Sequence, residues 1–425
     1  MSPKSDEAGD VYQLENWIAN RETEQLQYYI KYCYIAINRA NTVIDHIQNS
    51  SVLSETARRR ILGEAYFLRA WNYFNLVRTF GIVPVQTKMV AELSQTTPPM
   101  ATGLDQLYDL ILGDLARADN LLEVNKVFGR ADKVAAQSLM AKAYLTIASS
   151  KEHNVHRYTE MRREPQIMYD SAAYWAGKVV RDYKNVYDFD TNLRDIYDVD
   201  KPTGPEHIFI MPIDRSGTQE GNYSKLPLLF LPSNNSVPFY IRYGNGDLQR
   251  ANGNGWGVFL CNDEFVETQF STTDKRRTEL IHRDIYDASG NPIVPNQVKG
   301  YFSSKYVDPD FIGERTSARP YLIRFSDIAL VYAEAAGPEA GLAYVNRIRE
   351  RAGVTPLPSG MTTDKFREAV IKERALELAF EGNRLYDLRR TASVTTTDIK
   401  AAGLSEAEAA YYPIPQREID LNPNL

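Results

Sequence analysis

Three glutamates near the C-terminal end of the chain have the residue type and spacing that acid–base catalysis uses. Glu373, Glu377 and Glu381 lie four residues apart, so a helix would place them on one face. Two neighbouring carboxyl groups can catalyse hydrolysis of a glycosidic bond. Basic residues are interleaved with them, and ion pairing across packed helices accounts for the same pattern. The candidate partners are Lys372, Arg374, Arg384, Arg389 and Arg390. We therefore expect structural ion pairs and no catalytic residues.

A second set of polar and aromatic side chains lies in a stretch rich in Gly and Asn, residues 239–257. An aromatic ring can stack on the apolar face of a sugar, while amide, carboxylate and guanidinium groups bond its hydroxyl edge. An arginine can also pair with a ligand carboxylate. The candidate ligand-binding residues are Tyr240, Arg242, Tyr243, Asn245, Asp247 and Trp256. The alternative for Trp256 is that it packs inward and anchors the loop.

Tyr12 and Trp17 form another candidate, in the loop before the first long helical pattern. Trp17 has two interpretations: a stacking platform for a ligand, or a staple that fixes the loop to the helical core. Both interpretations remain open at the level of sequence.

Two further patterns point to metal or nucleotide binding, and both are weak. His153 and His156 have the spacing of a pair of metal ligands, but the loop around them is polar and no matching cluster occurs elsewhere. The glycines at 253, 255 and 257 are not flanked by a clear strand and helix, as a dinucleotide-binding motif requires. No metal and no cofactor is therefore expected.

Composition excludes several classes of protein. The chain of 425 residues has a net charge of −6, which argues against a nucleic-acid partner. No apolar run approaches the roughly 18 residues of a membrane-spanning helix, and the N-terminus lacks the apolar core of a signal peptide. Two cysteines, Cys33 and Cys261, are too few and too far apart to indicate a disulfide framework.

The elements that must position these residues are mostly helical. Apolar residues recur at helical spacing, and alanines mark close helix–helix approach. This pattern predicts tetratricopeptide-like helical pairs, an α-α superhelix. The predicted helices of the first half cover 23–48, 54–79, 103–123, 131–149 and 168–182, with Ser54 as an N-cap.

The middle of the chain has a different amino-acid composition. Residues 186–320 are rich in Gly, Asn, Pro and Asp, which predicts a loop-rich ligand-binding region with short strands, such as 208–211 and 226–231. Helices return at 323–336, 338–352 and 364–390, the last with an interruption at Gly382. We therefore predict a mainly α fold in three parts, 1–185, 186–320 and 321–425. The last part is expected to pack on the first in one composite body.

Several blocks of sequence resemble the SusD/RagB family. The segments 319–335, 344–353 and 373–390 occur in the order of the family's C-terminal signature, and the tail from Tyr412 is similar to the family's tail. Segments 38–41, 65–74 and 81–85 resemble its first complete helical pair, and 255–258 and 274–277 resemble its middle region. The resemblance covers essentially the whole chain.

The resemblance implies a function that composition alone does not. Family members are non-enzymatic lipoproteins on the extracellular face of the outer membrane of Bacteroidetes. They cap a SusC-like TonB-dependent barrel and bind nutrients, mostly glycans and in some members peptides. Ser5-Asp6-Glu7 comes much earlier than in the family. We therefore expect that the signal, the anchor cysteine and part of the first helical pair are missing from this sequence.

Three hypotheses of function follow. The first is a cell-surface receptor that binds oligosaccharides or polysaccharides and delivers them to a SusC-like transporter. The second is a peptide-binding lid on the same type of transporter. The third is an intracellular helical-repeat adaptor with a protein partner. An N-terminal signal with a lipid-anchor cysteine would eliminate the third.

Overall fold

The structure is a computed structural model and describes residues 9–216, 223–293 and 300–425. The Ser5-Asp6-Glu7 segment lies outside the described residues. The helices in chain order are α1 (Asp10–Glu15), α2 (Glu24–Ile47), α3 (Glu55–Phe80), α4 (Leu104–Leu121), α5 (Lys133–Glu152), α6 (Pro165–Asp182), α7 (Leu226–Phe230), α8 (Asp263–Gln269), α9 (Lys275–Leu280), α10 (Phe325–Ala336), α11 (Pro338–Arg351), α12 (Thr363–Glu377), α13 (Arg384–Arg390), α14 (Val394–Thr397), α15 (Glu406–Ala410) and α16 (Gln416–Leu421). The strands are β1 (His207–Ile210), β2 (Phe239–Arg242), β3 (Leu248–Ala251), β4 (Ile281–His282), β5 (Ile285–Tyr286), β6 (Pro292–Ile293), β7 (Phe302–Ser303) and β8 (Tyr321–Arg324). The predicted mainly α fold class is confirmed.

The chain forms two compact units. The helical unit comprises Ala8–Tyr183 and Arg384–Leu425, and the mixed unit comprises Lys184–Asn383. The predicted boundary at 185/186 lies beside the unit boundary, whereas residues predicted as one C-terminal part contribute to both units. The three-part organisation stays a prediction about domains.

Successive helices pack on one another in the helical unit, α2 on α3, α3 on α4, α4 on α5 and α5 on α6. Ser54 caps α3 as predicted, since its hydroxyl accepts a hydrogen bond from the Ala57 N–H at 3.3 Å. Asp132 caps α5 in the same way through Ala135 N–H at 2.9 Å. Alanines allow α5 to be buried on nearly every side. This sequential packing is typical of stacked helical pairs, and the five predicted helices are confirmed within a few residues at each end.

The described residues of the mixed unit form three small sheets. Strand β1 pairs antiparallel with β8, β4 pairs with β7, and the largest sheet has the order β3-β2-β5-β6. Phe239 and Ile241 of β2 are fully buried in the core of this sheet, against Phe302 and Phe311 among others. Because side chains alternate along a strand, Tyr240 and Arg242 emerge on the opposite face.

Two predictions about elements of the mixed unit were wrong in detail. Residues 226–231, predicted as a possible strand, form the short helix α7, where Pro227 in the first turn favours a helical backbone. A short apolar run does not distinguish a strand from a buried helical turn. The helix predicted over 323–336 begins only at Phe325, because Tyr321–Arg324 pairs with β1.

The predicted interruption at Gly382 is confirmed. Helix α12 ends at Glu377 and α13 begins at Arg384. Gly382 lies between them with φ 79°, a conformation that glycine adopts at little cost. In the described ranges, every helix is too short or too polar to cross a lipid bilayer.

Candidate functional site

The β2–β3 hairpin carries five of the predicted ligand-binding residues. Its register pairs Tyr240 with Arg250 and Arg242 with Leu248. The turn is closed by a hydrogen bond from Tyr243 N–H to the Asp247 carbonyl at 2.9 Å. The side-chain amide of Asn245 donates to the Asp247 carboxylate at 2.6 Å, which orders the tip of the turn. The Asn245-Gly246 pair lies at this turn, as is typical of hairpins.

The outward face of β2 presents an aromatic and cationic surface. Tyr240 lies opposite Tyr286 of β5. The Arg242 guanidinium lies 4.2 Å from the centre of the Tyr286 ring and donates to the Gly290 carbonyl. This cation–π contact holds the guanidinium in place while Arg242 stays exposed. The side of β2 opposite the core thus offers fixed donors and ring surface to a ligand.

Tyr243 differs from the other hairpin residues because it is only 6% exposed. The Arg194 guanidinium covers its ring at 4.5 Å, and the His282 ring meets it edge-on at 5.5 Å. Its hydroxyl donates to the Gln249 side chain. Burial raises the pKa of Tyr243, so the hydroxyl keeps its proton. In this structure the ring of Tyr243 is covered, and the residue positions the turn.

An open cavity of about 630 Å³ lies beside this turn, bordered by Tyr243 and Asp247. The hydrogen bond from Asn245, together with Arg194 at 3.2 Å, lowers the pKa of Asp247. The cavity wall is strongly polar and carries more acidic than basic side chains. Its other lining residues are Asn192, Arg194, Asp195, Tyr197, Asp198, Asp200, Leu248, Gln249, Arg250, Glu279, Leu280, Ser304 and Val307. Such a wall suits hydroxyl groups and disfavours anionic ligands.

Trp256 is the most exposed ring among the predicted site residues, at 45%. Its backbone is fixed, since Trp256 N–H donates to the Leu228 carbonyl at 2.6 Å and Gly257 N–H donates to the Leu231 carbonyl at 2.8 Å. A Cβ on Gly255 would lie 2.1 Å from the Leu231 carbonyl oxygen, so only glycine allows this close approach. The glycine pattern rejected as a nucleotide motif therefore serves backbone packing.

The exposed indole of Trp256 has a ring face and an N–H group that a ligand can contact. The indole N–H, unlike the backbone N–H, makes no hydrogen bond to any residue in the described part of the chain. Because the side chain is 45% exposed, the alternative in which it packs inward does not hold here. Trp256 does not line the cavity beside the hairpin turn. The structure therefore presents two surfaces in the mixed unit, the hairpin with its cavity and the exposed indole.

Trp17 and Tyr12 belong to the helical unit and have different surroundings. The Trp17 indole is half-buried, and its N–H donates to the Asp398 carboxylate at 2.9 Å. Its ring stacks on Tyr412 with centres 6.4 Å apart and packs against the apolar cluster around Leu388. These contacts are those of a staple, although Trp17 also borders an open cavity of about 800 Å³. Tyr12 on α1 is partly exposed.

The three glutamates on and after α12 are ion-paired, as expected. Glu377 lies 2.9 Å from Arg324 and 2.7 Å from Arg351, with all three side chains almost fully buried. Glu373 pairs with Arg276 at 2.5 Å, and Glu381 pairs with Arg324 at 2.8 Å and with Lys305 at 2.7 Å. We call this the buried ion-pair network. Its members are Glu206, Asp274, Glu373, Glu377 and Glu381 with Arg276, Lys305, Arg324, Arg349 and Arg351.

The predicted partners of these glutamates were wrong. Arg374 pairs instead with Asp327 at 2.8 Å, and Arg390 pairs with Asp387 at 2.9 Å. The true partners come from β8, α9, α11 and the loop after β7, because the glutamate face of α12 is turned into the mixed unit. Sequence spacing shows which residues share a face but not what that face meets.

The remaining candidates carry no catalytic or metal geometry. His153 is exposed and its Nδ1 lies 2.8 Å from the Ser149 carbonyl, while His156 meets the Tyr411 ring. Among the described residues, no group of three or more His, Cys, Asp or Glu is placed to hold a metal ion. Cys33 and Cys261 are free and buried, and burial raises the pKa of each thiol to about 12.

Comparison with known proteins identifies the family of this chain. A model of the SusD family matches residues 283–425, and a model described as starch-binding associating with outer membrane matches residues 4–145. The chain belongs to the SusD/RagB family.

Individual relatives have low sequence identity to this chain but match most of its length. SusD-like protein P2 of Formosa agariphila is 24% identical over 414 residues, which cover 90% of this chain and 75% of the relative. A SusD superfamily protein from Parabacteroides distasonis superposes with a TM-score of 0.81 at 22% identity, covering 100% of this chain and 89% of that one. A laminarin-binding SusD-like protein superposes with a TM-score of 0.78 at 23% identity, covering 99% and 89%. At these identities, the structural matches establish the fold.

Proposed function

We propose that this protein is a cell-surface glycan receptor that binds oligosaccharides or polysaccharides and passes them to a SusC-like TonB-dependent transporter. It would be held on the extracellular face of the outer membrane by a lipid anchor. Family membership supports this role, as does the outer-membrane association in the description of one matching family model. A structural neighbour is described as laminarin-binding. The observation that carries the proposal is the exposed Trp256 on a backbone fixed by glycine.

The chemistry of the mixed unit fits a neutral carbohydrate. The Trp256 indole offers a flat apolar surface for a sugar ring, and its free N–H can donate to a hydroxyl. Tyr240 and Arg242 provide further ring surface and donors, and Asn245 and Asp247 are exposed at the hairpin tip. Each group recognises hydroxyl edges or C–H faces without breaking a bond. The protein therefore acts by binding, and the carboxylates of the buried ion-pair network do not take part.

The test is affinity electrophoresis of the purified protein through gels that contain neutral polysaccharides, laminarin among them, followed by calorimetry with oligosaccharides. Trp256→Ala is compared with wild type. We expect retardation in wild type and at least about tenfold weaker binding in the variant, because a stacking surface of about 1.4 kcal/mol or more is lost. Circular dichroism must show that the variant is folded.

Tyr174→Ala is the matched control, because Tyr174 is also an exposed aromatic residue, at 54%, but lies on α6 in the helical unit. It should bind as wild type does. Trp17→Ala and Tyr12→Ala in the same gels test the second candidate surface. If calorimetry detects binding of peptides and of no glycan, the peptide-binding lid replaces the glycan receptor as the proposed function. Equal retardation of wild type and Trp256→Ala would remove Trp256 from the site.

The transporter and anchor need a separate test. Full-length protein, tagged at its C-terminus and expressed in its native cells, should co-purify from solubilised outer membranes with a TonB-dependent barrel. Protease added to intact cells should reach it. Recovery from the cytoplasm without a barrel would contradict this part of the proposal and would favour the intracellular adaptor.

A further inference from the structure

Arg389 of the helical unit is a buried cation that has no carboxylate partner among the described residues. The residue is only 5% exposed. Its Nη1 donates to the main-chain carbonyls of Arg78 and Thr79 at 3.2 and 3.5 Å, near the end of α3. Its Nε and Nη2 atoms are buried and make no hydrogen bond in the described part of the chain. No acidic side chain of the described residues lies within ion-pair distance of it. Burying an unpaired guanidinium is costly.

Existing contacts offset only part of this cost. The ring of Tyr412 lies 4.3 Å from the Arg389 guanidinium, and the C-terminal carbonyls of α3 carry a partial negative charge of about half an electron in total. Burial also lowers the pKa of Arg389, because it disfavours the charged form of the guanidinium. The contrast with Arg324, whose guanidinium meets three carboxylates, is direct.

Arg389 also lines a small cavity of about 20 Å³, together with two other arginines. Arg390 is paired with Asp387. Arg78 has no carboxylate partner among the described residues; its guanidinium lies between the rings of Phe74 and Tyr386, at 4.0 and 3.9 Å. The rest of the wall offers hydroxyl groups and apolar surface: Thr146, Ser150, Val155, Tyr158, Tyr386, Ala410 and Tyr411. Two of the three arginines at the cavity, Arg78 and Arg389, thus have no carboxylate partner in the described part of the chain.

We infer that this cavity binds one monatomic anion, chloride under physiological conditions, which pairs with Arg389 and fixes α13 against the ends of α3 and α5. The volume admits a particle of the size of one water molecule, since roughly 10–15 Å³ on this measure holds a water, and chloride is only slightly larger. The small volume favours a monatomic anion over the larger phosphate, sulfate and carboxylate groups. A water molecule could accept the free N–H groups, but it would leave the charge of Arg389 and Arg78 unbalanced.

The deciding experiment uses crystals of the wild-type protein in bromide, a halide with strong anomalous scattering. We expect an anomalous peak in the cavity within hydrogen-bonding distance of Arg389 Nε or Nη2. A cavity that holds only a water, with no anomalous signal at high bromide concentration, overturns the inference. This measurement needs no variant, so it does not depend on whether a substitution at the buried site folds.

A second experiment measures the consequence for stability. Thermal unfolding is followed in chloride, bromide and gluconate at the same ionic strength of roughly 0.15 M. A ligand that binds only the folded state raises the melting temperature, and we expect about 2 °C more in either halide than in gluconate. Arg389→Gln should remove this difference, whereas Arg250→Gln, an exposed arginine of the mixed unit, should keep it. Equal melting temperatures of wild type in all three salts would count against the site. Either outcome is independent of glycan binding.

Discussion

The buried ion-pair network and the β2–β3 hairpin use the same kinds of residue for opposite purposes. Both lie in the mixed unit and both combine arginines with carboxylates. In the network, five acidic groups meet five basic ones, and most of their side chains are almost fully buried. On the hairpin, Arg242, Asn245 and Asp247 remain exposed. Residue type therefore does not distinguish the buried structural groups from the exposed groups that we propose bind a ligand; solvent access and the supply of partners do.

The strongest way to break this comparison is Glu377→Gln. The substitution keeps the shape of the side chain but leaves Arg324 and Arg351 buried with too little negative charge. We expect the free energy of unfolding to fall by about 3–5 kcal/mol, the usual cost of removing one partner of a buried pair. Urea denaturation measures it. Asp247→Asn, an exposed carboxylate with an arginine neighbour, is the control and should leave the urea midpoint unchanged. Equal midpoints for both variants would show that the network is not structural.

The next largest expected effect is a loss of stability at acidic pH, which comes from the buried ion-pair network. Burial favours the protonated form of Glu206, Glu377 and Glu381, but Arg351, Arg324 and Lys305 outweigh it, so the pKa of each carboxyl is lowered in the folded state. The stability that these lowered pKa values contribute is complete above the unfolded pKa of about 4.3 and is lost as pH falls through the lower folded values.

We therefore expect the free energy of unfolding to drop steeply below about pH 4.3 in wild type. The drop is up to about 1.4 kcal/mol for every tenfold difference in a carboxyl group's acid dissociation constant between the folded and unfolded states. In Glu377→Gln the drop should be shallower. Urea denaturation at several pH values, from neutral to strongly acidic, measures how the free energy of unfolding depends on pH in wild type and in Glu377→Gln. Parallel slopes for the two proteins would contradict this assignment of the acid sensitivity.

The smallest expected effect tests whether Arg242 of the hairpin contacts the ligand. Arg242→Ala removes a guanidinium that stacks on Tyr286 and bonds the Gly290 carbonyl. If this arginine contacts the ligand, glycan affinity should fall about threefold to tenfold by calorimetry, as for one polar contact, with the melting temperature nearly unchanged. Arg283→Ala is the control, since Arg283 also lies over a tyrosine ring, that of Tyr301. Unchanged affinity in Arg242→Ala would limit the site to Trp256 and its surroundings.

The sequence was most informative where local rules decide the structure. Helical spacing, the Ser54 cap and the break at Gly382 were all predicted, because each depends on residues within one or two turns. The helical assignment of 226–230 and the late start of α10 were missed. Both depend on packing and strand pairing with distant segments, which no local pattern records.

The candidate site shows the same division. The segment 239–257 could be selected from its composition. That Tyr243 would be covered by Arg194, and that Trp256 would be exposed, depended on contacts with residues many positions away. A local sequence signal exists for the fixed backbone beside Trp256: a Cβ on Gly253 or Gly255 would clash with the carbonyl oxygen of Val237 or Leu231, so both positions need glycine.

The alternation of β2 has a consequence for how such a protein can evolve. Phe239 and Ile241 hold the sheet together, so most substitutions there are removed by selection for a folded chain. Tyr240 and Arg242, on the opposite face, can be exchanged with little loss of stability. One strand thereby offers an inherited scaffold and a variable surface at alternate positions. Proteins that share this fold at low sequence identity can therefore differ at every second residue of this strand and still keep its core.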